Sequence, residues 1–245
     1  ISKVMEPIHA NNTKVKDVII AYLSDNSADL LLSVLACMNL TLAISVSEVS
    51  ILPAMINGRW TPKEMERALR PSIIRNEETN DIHTTILLYG VGYEEVAREA
   101  VRLMKEANNQ HFAVALSLPL MAEKYCTIRN VSYNPNCTTL EKDDLNQKWC
   151  IPSKLDVSNK DALLLFTSGT SSPNRAKGVR LSHQSLFVQA YAKTQSPCVY
   201  NDQTHMVATS VPWFHVGGMS SALAVIFGGG TLVFPPTDTK YGTVK

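Results

Sequence analysis

The sequence predicts an α/β protein built around a mostly parallel sheet, and two observations predict it. Short apolar runs alternate with stretches of helical periodicity, the rhythm of strand–helix–strand units. Helix starts are marked by capping residues between those runs. Val18–Leu23 (VIIAYL) reads as a strand, Ser27–Met38 as a helix with Ser27 as its N-cap, and Leu40–Val46 as the next strand. Thr61-Pro62-Lys63-Glu64 combines a capping box with proline at the first helical position, and opens a helix to about Leu69. Ile86–Val91, Glu94–Glu106 and Phe112–Leu118 repeat the strand–helix–strand rhythm. Residues 130–160 carry Asn, Pro, Asp and Lys with little periodicity and read as loop. Asp161–Phe166 (DALLLF) is a strongly apolar strand.

Composition narrows the function classes. The 245 residues are 45% apolar and 18% charged, which suits one large domain or two modest ones and excludes a disordered or fibrous chain. Lys and Arg number 23 against 22 Asp and Glu, a formal charge of +1, so the basic excess of a general nucleic-acid binder is missing. The balance is uneven: residues 1–150 hold 15 basic and 18 acidic side chains, residues 151–245 hold 8 and 4. An anion site therefore belongs in the last third. Glycine agrees, since only Gly58, Gly90 and Gly92 of the 11 precede residue 169, and glycine permits close backbone approach to a ligand.

Cys37, Cys126, Cys137, Cys150 and Cys198 form no CxxC and no Cys/His grouping, so free thiols in a reducing compartment are expected rather than zinc. A cytoplasmic or plastid setting suits them. The most apolar stretch, Leu30 to Val46, is too short and too interrupted by Ser33, Asn39, Thr41 and Ser45 to span a bilayer. The adjacent acids Glu77-Glu78, Glu94-Glu95 and Asp143-Asp144 read as solvated faces, because neighbours on a helix or strand do not face one site.

The bend after DALLLF carries the chemistry. From Thr167 to Ser172 five of six residues bear hydroxyls and the sixth is Gly169; Arg175, Lys177 and Gly178 follow. Hydroxyls, a permissive backbone and two cations are what phosphate oxygens need. The spacing is not that of a Walker A loop, and no G-x-S-x-G nucleophile elbow occurs.

This segment resembles the signature loop, roughly T-S-G-T-T-G-x-P-K-G-V, of the adenylate-forming (AMP-binding) superfamily of acyl-CoA synthetases. Thr167, Ser168, Gly169, Thr170, Lys177, Gly178 and Val179 match it. Ser172 stands where glycine is usual, Ala176 where proline is usual, and the loop is two residues longer. Leu181-Ser182-His183 resembles the helix start that follows. Val211-Pro212-Trp213-Phe214-His215-Val216-Gly217-Gly218 resembles the family's P-x-F-H-x-x-G segment. Weaker echoes are Tyr22-Leu23-Ser24-Asp25-Asn26-Ser27 and Ile56-Asn57-Gly58-Arg59-Trp60-Thr61-Pro62-Lys63-Glu64. Gly217-Gly218-Met219-Ser220-Ser221-Ala222 is similar to plant and algal 2-succinylbenzoate–CoA ligases.

The resemblance implies the layered αβαβα fold of the family's N-terminal domain. It also implies activation of a small carboxylic acid with ATP and Mg2+, then transfer of the acyl group to CoA. Thr167, Ser168, Gly169, Thr170, Ser171 and Lys177 would hold phosphates; His215, Gly217 and Gly218 would shape the acyl pocket. The implied division is 1–160 as a first α/β part and 161–245 as the phosphate-loop and acyl-pocket part. Beyond residue 218 the family's Y-G-x-T-E, T-G-D and late-lysine segments are missing, so an incomplete domain without its C-terminal partner, poorly active alone, is expected. Two other readings fit the altered loop: a non-catalytic nucleotide- or phosphate-binding module, and a degenerate or structural member.

Overall fold

The computed structural model describes residues 15–43, 50–70, 82–107, 111–118, 160–167 and 176–234. In chain order the elements are β1 (Val15–Leu23), α1 (Ala28–Ala43), β2 (Ser50–Met55), α2 (Pro62–Ala68), β3 (Ile82–Tyr89), α3 (Glu94–Ala107), β4 (His111–Ser117), β5 (Asp161–Thr167), β6 (Lys177–Ser182), α4 (His183–Thr194), β7 (His205–Val207), α5 (Val216–Phe227) and β8 (Thr231–Val233).

β1 to β6 form one six-stranded sheet of order β4-β3-β1-β2-β5-β6, parallel except for β6, which returns antiparallel beside β5. The expected boundary at residue 160 falls between β4 and β5 of this continuous sheet. β1 is central, flanked by β2 in the register Ile20↔Pro53 and by β3 in the register Ile20↔Ile86. Strands buried on both faces read as unbroken apolar runs, and VIIAYL, ILLY and ALLL do.

Two cores lie on opposite faces. Val18, Ile20 and Tyr22 of β1 join Leu30, Leu31 and Val34 of α1, Leu186 of α4 and Met219 of α5. Ile19, Ala21 and Leu23 join Met65 and Leu69 beside α2 and Ala97, Ala100, Val101 and Met104 of α3. The strand period of two feeds alternate residues to each layer, and the i, i+3, i+4, i+7 spacing of α3 supplies one buried stripe. Full burial of a side chain such as Met104 or Leu69 is worth about 1.5–3 kcal/mol. β7 and β8 begin a second, parallel sheet with α5 as their connection, and Met206, Leu232 and Phe234 pack back onto the first core.

Capping chemistry holds where the sequence marks it. Leu30 N–H donates to Ser27 Oγ at 3.1 Å, and Thr61 with Glu64 forms a complete capping box before Pro62. One expectation is overturned: residues 40–43 are the last turn of α1, not a strand, and the strand beside β1 is Ser50–Met55. Leu30, Leu31, Val34 and Cys37 keep one face of α1 on the core, and the helix runs on from there to Ala43. β2 forms despite Pro53 because pairing with β1 and burial on both faces outweigh a missing donor. The expected loop at 130–160 lies outside the described residues apart from residue 160.

Candidate functional site

Because β1, β2, β3 and β5 run the same way, their carboxyl ends share one sheet edge. The turns 24–27, 56–61 and 90–93 and the bend after Thr167 all leave from it. The chain steps from β1 to β2 on one side and places β3 and β4 on the other, with α1 and α3 on opposite faces. Ligands of open α/β sheets bind in the crevice outside such carboxyl ends.

The phosphate-loop candidate is rooted here as a hairpin. Thr167 pairs with Lys177 across β5 and β6, and both side chains are exposed. Directly opposed residues on paired strands hold their Cβ atoms about 5 Å apart, so hydroxyl and ammonium stem rise together from one place. Among the described residues Lys177 has no ion-pair partner, leaving its charge available. Ser168, Gly169, Thr170 and Ser171 lie outside the described residues, as does Arg175. The root is braced by Phe166, which packs against Trp60 in a T-shaped contact with ring centroids 5.4 Å apart. Arg180 pairs with Asp161 at 2.6 Å toward the other end of the hairpin. The 56–64 segment singled out in the sequence thus abuts the phosphate-loop root.

The second candidate segment reaches the same edge. Asn26, in the turn after β1, accepts from Trp213 N–H at Oδ1 (3.0 Å) and donates from Nδ2 to Ala208 O (2.6 Å) and Val211 O (2.8 Å). β1 and β5 stand on either side of β2, so the strands that lead into Asn26 and the Thr167 bend are about two strand spacings apart, roughly 10 Å. Trp213 is buried, while the Phe214 and His215 rings lie 4.5 Å apart and His215 is exposed as the N-cap of α5. The His215 side chain makes no capping hydrogen bond, so it is not consumed by the helix it begins.

Gly217 and Gly218 differ. Nothing among the described residues lies within 4 Å of where a Gly217 Cβ would stand, and the position is exposed. A Gly218 Cβ would stand 2.9 Å from Val211 O and closer still to Pro212 O, so its glycine lets α5 sit on those carbonyls. Gly228 and Gly230 are likewise crowded by carbonyls of Tyr200 and Thr204. Part of the glycine excess in the last third therefore serves packing rather than ligand approach. α5 is tied to α4 by Lys193, whose Nζ donates to Ser220 Oγ (2.7 Å) and Ser221 Oγ (2.8 Å); partial burial lowers its pKa.

On the neighbouring turn, the Tyr93 hydroxyl donates to Asp25 Oδ1 at 2.9 Å. Burial and that carboxylate push the phenol up to about 12. Asn26 and Asp25 were quoted in the sequence only as part of an echo. Their position immediately after a central strand was the one available sign of a site role. Among the described residues no grouping of His, Cys, Asp and Glu could hold a metal ion, and no helix is long and apolar enough to cross a membrane.

Comparison with known proteins agrees with this fold. A 2-succinylbenzoate–CoA ligase of Arabidopsis thaliana, described as chloroplastic/peroxisomal, is 26% identical over 204 residues, covering 80% of this chain and 31% of that protein. A solved structure of McyG A-PCP complexed with phenylalanyl-adenylate shares the fold at a TM-score of 0.50 and 15% identity, over 95% of this chain and 30% of its own. The chain thus spans about a third of the length of each. The AMP-binding enzyme family pattern matches residues 8–244, and the chain belongs to that family.

Proposed function

We propose that the chain is the phosphate- and carboxylate-binding part of an ATP-dependent acyl-CoA ligase that forms an acyl-adenylate and then a thioester. A carboxylate oxygen attacks the α-phosphorus, the α–β bridging bond breaks, and pyrophosphate leaves. The CoA thiol then attacks the acyl carbon, loses its proton and expels AMP. The barrier to the first step is charge building on the leaving pyrophosphate, which fixed donors and cations stabilise.

In this reading Thr167, Ser168, Gly169, Thr170, Ser171 and Lys177 hold the β- and γ-phosphates, and Mg2+ bound to the nucleotide would supply neutralisation of phosphate charge. His215 and Gly217 line the acyl side. Gly218 supports the turn from behind, a role favoured by its contact with the Val211 and Pro212 carbonyls. The observation that carries the reading is the joining of the Thr167–Lys177 hairpin and the Trp213–Gly218 turn at one sheet edge, in a chain matched to the family over residues 8–244.

The finer proposal is 2-succinylbenzoate as the acid, supported by the Arabidopsis relative, with a plastid or cytosolic setting. The test is ATP–pyrophosphate exchange by the full-length protein over a panel of carboxylic acids that includes 2-succinylbenzoate. Acid-dependent exchange supports the ligase. ATP binding without exchange on any acid favours the second reading, a non-catalytic nucleotide-binding module, which the Ser172 and Ala176 departures from the family loop recommend.

A further inference from the structure

Asn26 uses every hydrogen-bonding direction that matters for one purpose. Its Oδ1 faces the Trp213 N–H and its Nδ2 faces the Ala208 and Val211 carbonyls, so the amide has only one orientation that satisfies all three. These contacts bridge 182 to 187 residues of sequence. The clamped segment leads directly into His215, whose N–H donates to Pro212 O at 3.2 Å and whose carbonyl accepts from Met219 N–H at 3.1 Å. Gly218 packs closely against Val211 O as well. A backbone segment held by these contacts has little freedom to shift relative to β1.

We infer that Asn26 is a positioning residue: it fixes the His215 turn against the sheet edge that also carries the Thr167–Lys177 hairpin, holding the carboxylate half of the ligand in line with the phosphate half. The inference rests on the functional reading above and deepens it, because it assigns alignment of the two halves to a side chain that touches neither. Misplacement of a reacting group by about 1 Å can cost on the order of a hundredfold in rate, so a turn this far from the phosphate loop needs such a tie.

The test uses the full-length protein with Asn26→Ala and Asn26→Asp. The aspartate keeps the acceptor for Trp213 N–H but turns an oxygen toward two carbonyls. In pyrophosphate exchange with 2-succinylbenzoate, or whichever acid of the panel the wild type accepts, both variants are expected to lower kcat/KM for the acid on the order of tenfold or more. The KM for ATP should stay within about twofold, and amide exchange at Trp213 should accelerate while β1 and β3 stay protected. An unchanged kcat/KM for the acid overturns the inference, as does an ATP KM that rises in parallel with a loss of global protection. A wild type without exchange on any acid overturns the functional reading and the inference with it; an active wild type with indifferent variants overturns the inference alone.

Discussion

Thr167 and Lys177 face each other across the β5–β6 hairpin, so both ends of the hydroxyl-rich bend are pinned at one point of the sheet edge. The pairing fixes the backbone from which the Lys177 ammonium extends, and charge near the phosphates is what a leaving pyrophosphate needs. In the full-length protein Lys177→Ala should reduce pyrophosphate exchange on the order of a hundredfold, with thioester formation from supplied acyl-adenylate changed far less. Exchange at the wild-type rate in that variant would remove Lys177 from the proposed site.

Two adjacent glycines should answer substitution in opposite ways. Gly217→Ala meets open space and replaces a poor helix former in the first turn of α5, so stability should hold or rise by up to about 1 kcal/mol. Gly218→Ala drives a methyl into the Val211 and Pro212 carbonyls and should cost about 2 kcal/mol or more. Urea unfolding of the two variants measures the difference. Equal stabilities would mean that α5 does not rest on that turn.

The Tyr93 phenol is raised from 10.0 to about 12, first by burial and then by Asp25. A raised folded-state pKa means that the neutral form is favoured on folding, so its stabilisation is complete below pH 10 and declines as pH climbs from 10 towards 12. Phenolate absorption of the wild type minus that of Tyr93→Phe should show one tyrosine titrating near 12. Asp25→Asn should lower that midpoint without returning it to 10, because burial is the larger cause. A midpoint near 10 in the wild type would contradict the half-buried phenol paired with Asp25.

Two cysteines should differ in reactivity. Cys37 is buried on the core face of α1 and its thiol is pushed up to about 12, whereas Cys198 is exposed after α4. Alkylation of the native chain followed by peptide mapping should label Cys198 and spare Cys37 until the protein is unfolded. Labelling of both at one rate would be incompatible with α1 as packed.

Elements whose signals are local were legible in the sequence. The Thr61–Glu64 box and Pro62 are self-contained over four residues, and α3 shows its stripe within two turns. The α1–β2 region was not, because Asn39 and Thr41 look like a break while Pro53 looks like a barrier to pairing; the helix nonetheless runs to Ala43, and β2 pairs with β1 through Pro53 itself. β6 went unread because its KGVRLS pattern, on an antiparallel edge, lacks the apolar run of its neighbours. The site divides likewise. Thr167, Lys177 and His215 announce themselves through residue type and spacing, but Asn26 acts on partners more than 180 residues away that no window contains.

β5 meets β2 at a single register pair, Ala54↔Leu164, although Leu163 and Leu165 enter one core and Leu164 the other. Main-chain lacing along that join is sparse, so interdigitated side chains above and below must set how far the hairpin protrudes. Trimming Leu164 would then loosen the proposed phosphate cradle without altering a single group assigned to hold the nucleotide.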